Sequence, residues 1–519
     1  MKKIFAIATL ITGTLMMVSC GDDDGGTVAS EVSIAGIPAS ASLAIDGTLS
    51  VTAEITAEAG IASFVVTVNG GTAADILPAA AAGETSASVV VSGTVADLGL
   101  VIGANTLVFT LTDVDGNSDD FTHVLTVADF PEVEVFASED GIGADNVTWT
   151  ADNVYVLRGF VFVNEGQTLT IDPGTVIKGQ AGQGSGASAL IVARGGTINA
   201  VGTAALPIVF TSTSDDLSPA NIVAGSYASP NLDPDVQGLW GGLIVLGNAT
   251  ISASATEVQI EGIPTSEERG LYGGSTDADD SGDIAYVSVR HAGTNIGSGN
   301  EINGITFGAV GSGTTVAHIE VVANADDGIE WFGGDVDVSN VLIWNVGDDG
   351  LDTDQDWIGT CSDFIIVTPN GSAFELDGPE GAGNRGVHTF TDGTVYAGTD
   401  IDHLVDFDGS TNAELQNMYF YGWDADYGFI QDEDPDEAGD QNFNPIESFG
   451  GDGNGTNSAW EYTLATGTGA ADAAEIFAGV DTGVITSVNT NANTVGGPAA
   501  SNFAWTFAGS AGALTDIGL

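Results

Sequence analysis

The sequence predicts an all-β chain, a β-sandwich followed by a long parallel β-solenoid. Three observations carry this. Residues 31–128 alternate apolar and polar side chains in short runs, with turn signals about every ten residues. From about residue 146 the chain becomes a series of short Val-, Ile- and Thr-rich strands punctuated by Gly, with almost no helical periodicity. Within that second part a unit of about 22 residues repeats. The composition agrees: 43% of the 519 residues are hydrophobic and 73 are Gly. There is ample material for a core, so the chain is not a disordered acidic tail. Its charge is extreme, with 72 Asp and Glu against 8 Lys and Arg, a net −64. So few cations cannot neutralise phosphates, which excludes nucleic-acid binding and charge-driven adsorption to an anionic membrane.

Residues 1–19 are expected to be a lipoprotein signal peptide. Lys2 and Lys3 form the positive start, and the apolar run Ile4–Val18 is too short to span a bilayer. The placement of Cys20 resembles a bacterial lipobox, with Met17 where Leu is usual. That resemblance implies that Cys20 becomes the lipidated first residue of the mature chain. Residues 20–30, with Asp22, Asp23 and Asp24, look like the acidic tether of lipoproteins on the outer face of a Gram-negative outer membrane. An ordinary signal peptide is the alternative. With Cys20 used, only Cys361 remains, so no intrachain disulfide is expected and Cys361 reads as a small buried residue.

The sandwich is expected over residues 31–129. Its last two strands, Leu107–Thr112 and Phe121–Val127, flank the turn Asp113-Val114-Asp115-Gly116-Asn117. This hairpin resembles the end of bacterial immunoglobulin-like modules, which implies an Ig-like sandwich. Asp113, Asp115 and Asn117 could hold Ca²⁺, but the Glu that closes an EF-hand loop is missing, and a plain turn is expected. Asp129-Phe130-Pro131-Glu132 reads as a linker.

The solenoid is expected over residues 132–450. Val316–Glu330 overlays Val338–Asp352 at an offset of 22, and Ser339–Trp344 overlays Ser362–Val367 at 23. Leu351-Asp352 maps onto Phe374-Glu375 and then Val405-Asp406. This register turns Ile329, Leu351, Phe374 and Val405 inward and Glu330, Asp352, Glu375 and Asp406 outward. Segments 213–237 and 264–283 are expected to project as loops. Residues 451–519 are expected to cap the carboxyl end or mediate assembly.

Several motifs occur in a fixed order: Gly174–Gly179 (GTVIKG), Trp240–Gly247 (WGGLIVLG), Asp279–Arg290, Asn300–Gly308, Asp326–Gly334 (DDGIEWFGG) and Phe374–Glu380. Together they resemble a family of bacterial cell-surface lipoproteins whose activity is not established. The resemblance implies a right-handed parallel β-helix of the pectate-lyase-like superfold and a location outside the cell. It implies no catalytic residues.

The acidic turns carry the most chemistry. Coils stack about 4.8 Å apart, so the register sets Asp326 beside Asp348, Asp327 beside Asp349, and Glu330 beside Asp352. No Lys or Arg lies between Arg290 and Arg385. One hypothesis is that Ca²⁺ bridges neighbouring coils at Asp326, Asp327, Asp348 and Asp349, with Asp352, Asp354 and Asp356 as further candidates. The competing reading is a set of solvated acids screened by salt. Trp331, Trp344, Trp357, Trp423 and Tyr427 would form a stacking platform for neutral glycans if they face outward, and core filling if they face inward. Gly347-Asp348-Asp349-Gly350 superficially supplies the paired carboxylates of a hydrolase, but the Gly-His-Gly and Arg-x-Lys strings of polygalacturonases are missing. Elimination needs a base, for which only Arg290-His291 and Arg385 with His388 offer themselves near acids. No Gly-x-Ser-x-Gly, Walker loop or Cys-x-x-Cys is present. The expectation is a non-catalytic, lipid-anchored surface protein for adhesion, glycan binding or self-assembly. A polysaccharide lyase or glycoside hydrolase is the alternative.

Overall fold

The computed structural model describes residues 5–9, 31–423, 430–432, 459–464 and 483–519, apart from single positions and the stretches 298–299, 382–384, 399–400 and 408–410. The chain divides into two units, Met1–Pro131 and Glu132–Leu519, at the expected linker.

In the first unit two sheets share one core. One sheet runs Phe5–Thr9, Ser86–Thr94, Thr48–Ala57, Val32–Ala35 in space, antiparallel throughout. The other runs Ser40–Ala44, Ser118–Ala128, Gly103–Asp113, Ile61–Val68, Ala74–Asp75, with only its first pair parallel. Thr48–Ala57 alternates exposed and buried at every position, the pattern of a strand wet on one face. Val51, Ala53 and Ile55 meet Phe64, Phe109 and Leu111 in one buried cluster, the two-sheet form of a sandwich. The Asp113 turn is closed by its own groups: Asp113 Oδ1 accepts from the amides of Asp115 (3.0 Å) and Asn117 (2.8 Å), and Asp113 Oδ2 from Asn117 Nδ2.

The second unit is a right-handed parallel β-helix. A nine-stranded sheet, from Phe160–Val163 to Ile430–Asp432, faces a fifteen-stranded one across a continuous core. Every pair along both main paths is parallel, because each coil returns to the same side before adding its next strand. In the smaller sheet one inward column reads Val161, Leu190, Leu243, Ile305, Ile329, Leu351, Phe374, Val405. Each coil buries this face only against its neighbours, so the core is a ladder rather than a ball. The neighbouring column points the other way: Phe162, Ile191, Ile244, Thr306, Glu330, Asp352, Glu375, Asp406. It is apolar in the early coils and acidic in the later ones. The register expected from the sequence holds residue for residue.

From Gly282 onward single strands such as Thr315–Val322 and Val338–Trp344 turn a corner without breaking. The bend falls on one left-handed residue per coil: Tyr286, His318, Asn340, Asp363, Asp392 and Asn417, with φ between 52° and 59°. Asn and Asp tolerate this conformation best among residues with a Cβ. Tyr286 and His318 stack their rings at 4.1 Å, and Asn417 Nδ2 donates to Asp392 Oδ1 at 3.1 Å.

One expectation needs correction. Segments 213–237 and 264–283 do not project. Leu217, Ile222 and Tyr227 pack on Val176 and Val209, and the 258–272 hairpin lies over the apolar outer column with Ile260, Ile263 and Tyr272. Those outward Phe and Ile side chains leave no stable alternative, since bare they would form a large apolar patch. The described residues of 451–519 take two places. Trp460–Thr463 and Ile485–Ser487 extend the larger sheet, and the helices Phe507–Ala511 and Ala513–Asp516 turn back along its flank. There Phe503, Phe507 and Leu514 cover Val322, Leu342, Trp344 and Ile365. Glu320 accepts the amides of Phe507 and Ala508, each at 2.9 Å, and faces the fully buried Arg290.

The corner predicts an asymmetric mutational response. Asn340→Val, β-branched at positive φ, is expected to lower stability by about 1–3 kcal/mol, and Asn340→Gly by clearly less, read from urea denaturation.

Candidate metal centre

The acidic turns owe their position to stacked glycines. Gly304, Gly328 and Gly350 donate their amides to Asp327 O, Asp349 O and Ser372 O, at 2.9 to 3.0 Å. A Cβ on Gly328 would sit 2.5 Å from Gly350 O, so only Gly lets successive turns approach this closely. The two residues before Gly328 and before Gly350 are acids, and Asn303 precedes Gly304. Asp349 N donates to Asp327 Oδ1 at 3.0 Å, and Ser372 N to Asp349 Oδ1, so side chains of one coil hold the backbone of the next.

Two carboxylate groupings result. Asp326, Asp327 and Asp348 place one oxygen each within 4.8 Å of one another, and so do Asp327, Glu330 and Asp352. Asp327 belongs to both. Asp327, Asp349, Glu330 and Asp352 are buried, and Glu375 continues the column. Asn303 Nδ2 donates to Glu330 Oε2 and, at 3.5 Å, to Glu261 Oε1, so the segment after the 258–272 hairpin closes the bay. Asn303 Oδ1 and Asp352 Oδ1 are buried and receive no hydrogen bond among the described residues. The arginine ion pairs lie elsewhere: Arg158–Glu134, Arg194–Glu257, Arg269–Glu267, Arg290–Glu320, and Arg385 with Asp335 and Asp277.

Like charges at 4.8 Å repel by roughly 3–4 kcal/mol at an effective dielectric near 20. Burial, reinforced by this repulsion, pushes the carboxyls up. Glu261 rises to about 7, through burial and then Glu301 and Asp354. Asp326 rises to about 8, through burial and then Glu301 and Glu261, and Glu375 to about 10, through burial and then Asp349. Asp327, Glu330 and Asp352 are held well above the usual carboxylate range, chiefly by burial. Such a bay either keeps protons or takes a cation.

Against family models, residues 141–436 match the pectate-lyase-like β-helix domain. The chain belongs to that family. Searches of curated proteins and of solved structures gave no match. Within this pectate-lyase-like β-helix the bay occupies the outer face of the nine-stranded sheet, where the outward column turns from apolar to acidic. The fold family includes polysaccharide-active enzymes and non-enzymes.

The structure brings together Asp326, Asp327, Asp348, Asp349 and Asp352, with Asp354 close enough to perturb Glu330 and Glu261. Asp356 stands apart. Its carboxylate accepts the Arg385 amide at 2.5 Å, and Arg385 Nη1 donates to Thr250 O at 2.9 Å. The turn after Asp354 runs through two left-handed residues, Gln355 and Asp356, and so leaves the acidic column. The outward platform is also corrected. Trp331 and Trp357 are fully buried and stacked at 4.6 Å inside the solenoid, and Trp344 lies beneath Phe507. Trp331 alternates with outward Glu330, so the same register that faces the acid outward faces this ring inward. Glu330 and Asp352 do point away from the core, yet they are buried, because the Asn303 segment covers them. Cys20 and Tyr427 lie outside the described residues, as does the side chain of Trp423. Cys361 is buried in the core. Arg290 and His388 are buried, and His388, pushed down to about 3 by burial, is neutral.

Sequence reasoning missed Glu261, Glu301 and Asn303. They sit in an insertion that breaks the 22-residue period, and only the Asn300–Gly308 motif marked their neighbourhood.

The raised carboxyls fix the sign of a pH effect. Their folded values exceed the unfolded ones of 3.8–4.5, so the folded chain holds extra protons above about pH 4. The stability they contribute is complete below that pH and is lost as pH rises through about 7 and 8. In a chelator the melting midpoint should therefore fall steadily from pH 5 to pH 9, and in Ca²⁺, which needs the ionised ligands, the fall should largely vanish.

Proposed function

We propose that this chain is a cell-surface binding protein, carried by a lipid on Cys20 at the outer membrane, whose solenoid is fastened by Ca²⁺ and engages neutral glycans or like subunits along its flank. The supporting observation is a group of buried carboxylates, Asp327, Glu330 and Asp352, beside acceptor oxygens of Asp352 and Asn303 that receive no hydrogen bond among the described residues. An oxygen-only donor set of this kind suits a hard cation. Mg²⁺ sheds its waters reluctantly and demands strict octahedral geometry, whereas Ca²⁺ accepts irregular sets of carboxylate oxygens, so Ca²⁺ is the better candidate. Ca²⁺ would tie consecutive coils together through Asp326 and Asp348, and the overlying insertion to the body through Glu261 and Asn303.

A polysaccharide-active enzyme is the second reading. Glu261, held near 7 and hydrogen-bonded through Asn303 to the bay, has the value of a general acid at neutral pH. Against it stands the charge of −64, which repels polyuronate substrates.

Thermal melts test the first reading. Saturating Ca²⁺ at a hundred times Kd should stabilise by about 2.7 kcal/mol, an upward shift of several degrees, with Mg²⁺ doing less. Asp352→Asn should raise the midpoint in chelator, by removing a carboxyl whose ionisation burial and its neighbours oppose, while abolishing most of the Ca²⁺ shift. Equal midpoints with Ca²⁺ and with chelator would overturn the proposal. Release of reducing ends or unsaturated products from a glycan panel, lost in Glu261→Gln, would instead establish the enzyme.

A further inference from the structure

A second feature lies on the other side of the same turns. After the larger sheet two successive coils pass a second left-handed corner, at Asn345 before the Asp348-Asp349-Gly350 turn and at Thr368 before Asn370-Gly371, with φ of 52° and 48°. Thr368 Oγ1 donates to Asn345 Oδ1, and Asn345 Nδ2 donates to Asp235 Oδ1 at 2.9 Å. Gln237 Nε2 reaches Asn345 O at 2.9 Å. The 229–238 part of the first insertion and the corner residues thus enclose a cleft of about 390 Å³, with Asn370 and Tyr396 completing its wall. Its size falls within the range of small-ligand sites.

The lining has a distinct chemistry. Gln237, Asn345, Thr368 and Asn370 present amide and hydroxyl groups, and Asp235, the one charged group among the lining residues, is engaged by Asn345. No Arg or Lys lines the cleft. Tyr396 is half-buried and points outward between the inward Val395 and Ala397. It is braced by the ring of Tyr421, edge-on at 5.1 Å, which itself stacks on Tyr419 at 4.9 Å. Among the described residues neither the Tyr396 hydroxyl nor Asn370 Oδ1 takes part in a hydrogen bond, and Asn370 Nδ2 makes only a long one, 3.3 Å, to Gly347 O.

We propose that this cleft binds a neutral saccharide, one sugar ring resting on Tyr396 and its hydroxyls bonded by Asn370, Gln237 and the Tyr396 hydroxyl. Amides pair with vicinal hydroxyls as donor and acceptor at once, and a fixed aromatic face takes the apolar side of a sugar ring. An anionic sugar finds no cation here and meets a strongly negative body. The inference rests on the binding reading above and gives its flank a location.

Isothermal titration of the mature chain in excess Ca²⁺ tests it, with cellohexaose, maltohexaose, xylohexaose and mannohexaose as neutral probes and hexagalacturonate as the anionic one. At least one neutral probe should bind. Tyr396→Ala should weaken it about tenfold and Asn370→Ala about threefold, with Tyr396→Phe losing only the hydroxyl's share and all three melting like the parent. Binding of a neutral probe that is indifferent to both Tyr396→Ala and Asn370→Ala would overturn this cleft and leave glycan capture standing. Failure of every neutral probe would overturn both, and tighter binding of hexagalacturonate would overturn the neutral assignment. Because Ca²⁺ is present throughout and its effect is read separately in the melts, failure of the metal proposal is distinguishable from all three.

Discussion

The constraint on which the rest depends is in-register stacking of parallel coils. Once consecutive strands pair residue for residue, as Glu330, Asp352 and Glu375 do, a position in the repeat becomes a column in space. Columns of apolar residues are self-consistent and build the core. Columns of acids are not. Their repulsion at about one strand spacing is of the same order as the net stability of many domains, so it must be relieved by protons or by a cation. The buried bay and its raised carboxyls follow from this one geometric rule.

What covers the columns is as informative as what forms them. The outward face of the nine-stranded sheet begins as Phe162, Ile191 and Ile244 and lies under the 258–272 hairpin. The outward face of the larger sheet, through Val322, Trp344 and Ile365, lies under the C-terminal helices. Each insertion thus satisfies a surface that stacking alone would leave apolar and bare. The bay arises where the cover of the smaller sheet passes from apolar residues to Glu261 and Asn303.

Much of this was legible in the sequence, and the boundary of legibility has a physical cause. The offsets of 22 and 23 gave the strand pairings of the coils from Thr315 to Leu376, including the neighbours of Glu330 and Leu351, because repetition is a local property of the chain. The meeting of Asp326, Asp327 and Asp348 followed from it. The inward facing of Trp331 was available from alternation with Glu330, yet that of Trp357 was not, since it follows a turn through two left-handed residues. Glu261, Asn303 and the docking of Phe507 near Glu320 are contacts across long separations that no period encodes. Burial of outward acids was hidden for the same reason, since it depends on which insertion lies over them.

The outward column changes character over two coil steps, from Ile244 through Thr306 to Glu330. Its two halves therefore respond differently to evolution. A whole coil copied within the acidic half would supply another rung of carboxylates and a matching corner residue, leaving its neighbours' pairing intact. Copied within the apolar half, it would outgrow the hairpin that shelters it. The number of stacked carboxylates can change by counting rungs, while the sheltered half is fixed in length by its lid.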